Sequence, residues 1–171
     1  MGETIDGLIP TFRRPQIAQT LASIAVQALP DGVTLRVIVA DNDDAPSARA
    51  LVTTIAARYP FSLVYLHAPS RNISIARNAL LGAAVSPTIA MIDDDETAPP
   101  GWIATLWLRL KATSADAVFG PSVAIYPADA PAWIVALDDH SNRPVHRGGV
   151  VHEVGVKFDE EISIQQYLRP D

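Results

Sequence analysis

Cysteine is absent from the 171-residue chain. That removes disulfides, thiolate metal sites and a cysteine nucleophile together, and it is compatible with a reducing cytoplasm. Basic residues are scarce: 13 Lys and Arg stand against 19 Asp and Glu, for a net charge of −6. A nucleic-acid coat needs a basic face, so no nucleic-acid partner is expected. A small anionic ligand stays open, because a local site can oppose the global sign. Long apolar runs are also missing. The longest, near Ala79 to Ile92, is interrupted by Ser86 and Pro87 and falls short of the roughly 20 residues needed to span a bilayer. Met1-Gly2-Glu3-Thr4 places no charged segment ahead of an apolar stretch, so no signal peptide is expected. What is present is 49% hydrophobic and 19% charged residues. This is the composition of one soluble globular domain with a core of its own.

Short apolar runs bounded by turn residues alternate with longer Ala- and Leu-rich stretches. The runs Ile5 to Pro10, Thr34 to Ala40, Phe61 to His67, Thr88 to Ile92 and Ala117 to Val123 read as strands. Pro15 to Leu29, Ala45 to Tyr59, Ile73 to Val85 and Gly101 to Ala112 read as helices, with Pro15 suited to a first helical turn. The β-α-β-α order predicts an α/β fold, a mostly parallel sheet flanked by helices in three layers. After Pro127 the chain is rich in Pro, His and acids, and a helical period returns only at Ile162 to Leu168.

Ligands of open parallel sheets bind beyond the carboxyl ends of the strands, so the residues after each apolar run carry the information. The first strand ends in Pro10-Thr11-Phe12-Arg13-Arg14, the second in Asp41-Asn42-Asp43-Asp44, and the fourth in Asp93-Asp94-Asp95-Glu96. The third leads to Pro69-Ser70-Arg71-Asn72. Four polar clusters are expected on one rim. In extended chain Asp93 and Asp95 share a side while Asp94 faces away. Adjacent carboxylates repel unless a cation or protons relieve them, and oxygen ligands suit Mg²⁺ or Mn²⁺. The plain reading of the same acids is a solvated loop before a helix N-terminus. Asp41 reads equally as a hydrogen-bond acceptor for a ligand and as a turn residue. Arg77 suits a phosphate through paired hydrogen bonds, or is an ordinary surface cation.

These segments, taken in order, resemble the family 2 glycosyltransferases of the GT-A fold, above all the bacterial members that build surface polysaccharides. Ile9-Pro10-Thr11-Phe12-Arg13-Arg14-Pro15 is similar to the first-strand signature and Val37-Ile38-Val39-Ala40-Asp41-Asn42-Asp43 to the second. Asn72-Ile73-Ser74-Ile75-Ala76-Arg77-Asn78-Ala79 resembles the Ala-Arg-Asn helix start, and Ile92-Asp93-Asp94-Asp95-Glu96 the Asp-x-Asp motif. The match covers roughly residues 4 to 134 and includes Phe119-Gly120-Pro121, Tyr126-Pro127 and Ala130-Pro131-Ala132-Trp133. The resemblance implies a nucleotide-diphospho-sugar transferase fold over 1–134, with 135–171 an incomplete or divergent, truncated acceptor-side segment. It implies a nucleotide site of Pro10, Thr11, Arg13, Asp41, Arg77 and Asp93, with Asp41 near the uracil, and a divalent ion, Mn²⁺ or Mg²⁺, on Asp93 and Asp95. The implied reaction moves a sugar from a nucleotide-sugar donor, a UDP-sugar, to a glycan or lipid-linked acceptor with inversion. The implied setting is cytoplasmic, at the inner membrane face. Peripheral membrane contact and self-association are compatible with it.

No general base is assigned; Asp138, Asp139, Asp159, Glu160 and Glu161 are the candidates. His67, His140, His146 and His152 lack the close spacing of a zinc site and are expected in hydrogen-bonding or surface roles. Trp102 and Trp107 are expected in packing, with Trp133 set apart by its Pro-rich surroundings. Other readings compete. Asp93-Asp94-Asp95-Glu96-Thr97 resembles the nucleophile motif of haloacid dehalogenase-type phosphatases, with Asp93 attacking phosphate and Asp95 as acid and base. Three strand–helix units precede it here, however, and Asp138-Asp139 come before Lys157. A non-catalytic nucleotide-binding or interaction module and a two-component receiver domain are the others; the latter gives the Ala-Arg-Asn segment no role.

Overall fold

The computed structural model describes residues 2–113, 115–142 and 166–168. Four parallel strands build the sheet: β1 (Glu3–Thr11), β2 (Val33–Asp41), β3 (Ser62–His67) and β4 (Thr88–Met91). A short β5 (Gln166–Leu168) pairs antiparallel with β4, giving the order β3-β2-β1-β4-β5. The helices are α1 (Ile17–Ala25), α2 (Arg49–Ala56), α3 (Ile73–Ala83), α4 (Trp102–Thr113) and α5 (Ala132–Leu137).

Alternation along the strands sorts the core into two layers. Ile5, Ile9, Leu35, Val37 and Val39 face one side and pack with Leu21 of α1, Val52 of α2 and Leu106 of α4. Leu8, Ile38 and Ala40 face the other and pack with Ala76 and Leu80 of α3. The result is the expected three-layer α/β/α sandwich. Leu8, Ile9, Leu21 and Leu80 are fully buried, each worth about 2 kcal/mol of apolar transfer. Among the described residues no helix is long and apolar enough to cross a membrane.

One charged pair lies inside. Asp6 on β1 stands opposite Arg36 on β2. Both guanidinium bonds are 2.8 Å, and the same carboxylate accepts the Val85 and Ser86 N–H at 2.7 and 2.9 Å. Arg36 also donates to the Ala83 carbonyl at 3.3 Å. A sheet charge thus holds the crossing from α3 to β4. Burial alone would raise the Asp6 pKa, but Arg36 and the two N–H donors outweigh it and bring it down to about 2.

Several expected elements differ. Ala117 to Val123 is not a strand: Pro121 has no N–H to give a ladder, Ser122 instead bridges Asn142, and the place beside β4 belongs to β5. The helical period of Ile162 to Leu168 is contradicted where it is described, because Gln166–Leu168 is extended; the rest lies outside the described residues. Helices α1 and α2 are shorter than predicted. Helix α5 spans residues 134 and 135, and Ser122 bridges Asn142 with bonds of 2.8 and 2.7 Å.

Candidate functional site

The chain leaves β1 toward β2 on one side and β4 on the other, so the sheet order reverses at β1. A crevice opens at such a switch point beyond the strand ends. There the structure has a cavity of about 1310 Å³ walled by Pro10, Thr11, Asn42, Arg77 and the acidic residues 93–96. Residues 121–125 and 139–142 form the facing wall.

The acids after β4 do not continue the strand. The Glu96 N–H returns to the Asp93 carbonyl at 3.3 Å, closing a turn, so strand alternation does not govern where the carboxylates point. Asp94 is the buried one: it accepts the Thr11 hydroxyl at 2.7 Å and the Phe12 N–H at 3.3 Å, which joins the ends of β1 and β4. Asp93 meets Arg77 at 3.2 Å, and Asp95 pairs with Arg14. Glu96 accepts the Asp93 N–H and the Ser122 hydroxyl, both at 3.2 Å.

Burial raises the pKa of Asp93 and of Asp94; the neighbouring Asp95 charge adds to both, while Arg77 opposes it at Asp93 and the Thr11 hydroxyl at Asp94. Burial also pushes Glu96 up to about 7. An acidic turn held this way is costly by itself and is relieved by cations.

At the end of β2 stands Asp41. Its side chain is fully buried. One carboxylate oxygen accepts the Ala48 N–H at 2.8 Å and the Tyr65 hydroxyl at 2.9 Å; the other accepts the Asp43 N–H at 3.2 Å and the Ser47 hydroxyl at 3.4 Å. Asp41 is thus engaged in folding the loop, and the next residue, Asn42, lines the cavity. Asn42 Oδ1 accepts the Ser70 hydroxyl at 2.9 Å and the Asn72 N–H at 3.2 Å. The alternation of β2 carried this signal: an acid directly after a buried run at an odd position continues the core face.

Arg13 is engaged beside this loop. It does not line the cavity but makes a bidentate pair with Asp43, both bonds 2.8 Å, and draws the Asp43 pKa down to about 2. Its backbone is left-handed (φ 54°), as is that of Arg71 (φ 49°), which pairs with Asp44 at 2.5 Å. Both conformations are uncommon for such residues and shape the rim. Among the sequence candidates, Pro10, Thr11, Arg77, Asp93 and Asp95 come together on the cavity wall.

Elsewhere, His67 Nε2 donates to the Asp43 carbonyl at 2.9 Å, and His140 lies in the facing wall. His146 and His152 fall outside the described residues. Trp102 is buried, whereas Trp133 is exposed. Asp138 accepts the Ser141 hydroxyl at 2.6 Å and the Tyr126 hydroxyl at 3.2 Å, while Asp139 lines the cavity. Asp159, Glu160 and Glu161 fall outside the described residues.

A divalent ion fits these residues only as a shared one. Among the described residues no group of three or more His, Cys, Asp or Glu converges. Asp93 and Asp95 supply two hard carboxylates, which suits an ion that also takes oxygens from a bound phosphate.

The family model for glycosyl transferase family 2 matches residues 8–152. The chain belongs to glycosyltransferase family 2. It is 45% identical over 147 residues to the succinoglycan biosynthesis protein ExoM of Rhizobium meliloti (strain 1021), a match that covers 86% of this chain and 48% of that protein. The chain therefore spans about half the length of this relative. The fold is that of the S. aureus TarS 1-349 structure in complex with UDP, with a TM-score of 0.62 and 17% identity over 75% of this chain and 38% of that one. The mannosyltransferase PcManGT from Pyrobaculum calidifontis, in complex with GDP-Man and Mn²⁺, gives 0.61 and 24% over 73% and 36%. These neighbours establish the α/β GT-A fold for this chain.

Proposed function

We propose that this chain forms the donor half of a glycosyltransferase that moves a sugar from a nucleotide-sugar, a UDP-sugar, to a glycan or lipid-linked acceptor with inversion. The observation that carries the reading is the cavity at the β1/β4 switch point, in which an acidic turn stands between two guanidinium groups, Arg77 and Arg14. Family membership and the polysaccharide role in the name of the ExoM relative support it. The complexes of the structural neighbours with UDP, and with GDP-Man and Mn²⁺, support a nucleotide-sugar donor.

The geometry supports the following roles. The Asn42 amide donates to a carbonyl of the base, which suits uracil. Thr11 and Pro10 wall the nucleoside side, with the Thr11 hydroxyl holding Asp94 in place. Arg77 and Arg14 meet the diphosphate. Asp93 and Asp95 would hold Mn²⁺ or Mg²⁺, and the ion would supply charge stabilisation to the departing nucleoside diphosphate. The side chains favour the transition state because its leaving group carries more negative charge than the bound donor. Inversion requires an acceptor hydroxyl and a general base on the opposite face. Asp139 is the described candidate acid on that wall. A cytoplasmic setting at the inner membrane face belongs to the same reading.

The test is release of UDP from UDP-sugars by the purified chain, with and without oligosaccharide or lipid-linked acceptors. Acceptor-stimulated release, with the product anomer inverted by NMR, supports the full reading. Donor binding without release would leave a nucleotide-binding module.

A further inference from the structure

Helix α1 carries a polar stripe on its buried face. Thr20 and Ser23, spaced i and i+3, lie along one side of the helix, and Gln27 follows two residues past its end. Thr20 is fully buried and Gln27 nearly so. Buried polar groups are costly unless paired, and each of these is paired to the same loop. The Thr20 hydroxyl lies 2.9 Å from the Asp94 carbonyl oxygen and 2.7 Å from that of Glu96. Ser23 Oγ accepts the Ala98 N–H at 3.0 Å. Gln27 donates to the Pro99 carbonyl at 2.9 Å and accepts the Ile103 N–H at 3.2 Å. None of the three lines the cavity.

The turn's own bonds are long, 3.3 Å for Glu96 N–H to the Asp93 carbonyl and 3.2 Å for Asp93 N–H to the Glu96 carboxylate. The Thr20 contacts are shorter and grip the residues on both sides of Asp95. We propose that Thr20 is a positioning residue for the acidic turn: its one proton, shared by the Asp94 and Glu96 carbonyls, fixes the backbone from which the Asp93 and Asp95 carboxylates enter the cavity. The inference rests on the reading of that turn as the wall that meets the diphosphate and its ion. Ser23 is the internal control, since its partner Ala98 lies beyond the turn.

Thr20→Val keeps the branched shape and removes the hydroxyl. In calorimetric titration of UDP with Mn²⁺ into the full chain, its affinity is expected to fall about tenfold or more. UDP titrated with chelator is expected to show the same weak or absent binding in both proteins. Thr20→Ser is expected to restore the Mn²⁺-dependent binding, and Ser23→Ala to leave it within about twofold. Amide exchange in the ligand-free protein is expected to quicken at 93–97 in Thr20→Val. If the valine variant does not fold, Thr20→Ala carries the same comparison. Unchanged affinity and exchange in Thr20→Val would overturn the inference and leave the donor-site reading intact. An equal loss in Ser23→Ala would also overturn it, by showing only a general loosening of the loop. A wild-type chain that binds UDP no better with Mn²⁺ than with chelator would sink the donor-site reading and this inference with it.

Discussion

Replacement of Asp6 by alanine tests how the two elements that carry Arg77 and Asp93 are held. The variant leaves the Arg36 guanidinium, a quarter exposed, without its bidentate partner. It also strips the acceptor from the Val85 and Ser86 N–H groups. Breaking one side of a buried ion pair costs about 3–5 kcal/mol, against roughly 5–15 kcal/mol of total stability. The expected result in urea denaturation is a loss of about 3 kcal/mol or more, and a Tm lower by roughly 10 °C for a domain of this size. The pH dependence gives an independent check. The pKa falls from 3.8 to about 2 on folding, so this stabilisation is fully present above about pH 4 and fades as pH falls through 2. The gap corresponds to about 2 kcal/mol before a discount for the solvated side of Arg36. Asp6→Val with Arg36→Met is expected to recover most of the loss, because a matched apolar pair leaves no bare charge. A single-variant cost below about 1 kcal/mol, or a double variant no better than the single, would refute the reasoning.

Two further perturbations follow from the site. Glu96 has its pKa raised from 4.5 to about 7 by burial, so the folded state holds the extra proton and stability falls as pH rises from about 4.5 to 7. Glu96→Gln is expected to be the more stable protein at pH 8, by on the order of 1–3 kcal/mol, and to lose most of that advantage at pH 4.5; thermal melts at the two pH values decide it. On the proposed reading of Asn42 as a donor to the base, Asn42→Asp removes that donor, and fluorescence titration is expected to show UDP binding weakened about tenfold while Asp41→Asn chiefly lowers the melting temperature. The reverse pattern would return the base-reading role to Asp41.

Much of the fold was legible because each buried run sits between turn residues. Val37-Ile38-Val39-Ala40 and Ile89-Ala90-Met91-Ile92 admit no amphipathic helix, and Asn72 caps α3 through the Ser74 and Ile75 N–H. The segment after Gly120 was not legible, because its pairing is long-range: Ser122 finds Asn142, and the extended Gln166–Leu168 takes the edge of β4. Within the site, residue types after each strand located the rim, but their direction was hidden. Asp41 and Asn42 are neighbours with opposite fates, set by donors from Ala48 and Tyr65 in one case and from Ser70 and Asn72 in the other. The alternation expected for Asp93 and Asp95 assumed extended chain, whereas Thr20 and Glu96 bind that segment into a turn. Thr20, Ser23 and Gln27 carried no signal in the sequence, because their partners at 94–103 are distant in the chain.

The most direct measurement is calorimetric titration of UDP into the wild-type chain and into Asp95→Asn, each with Mn²⁺ and with chelator. The expected result is wild-type binding that requires Mn²⁺ and a loss of that requirement, with most of the affinity, in Asp95→Asn. Binding that is equal in all four titrations, or absent from the wild type, would contradict a donor site at the end of β4.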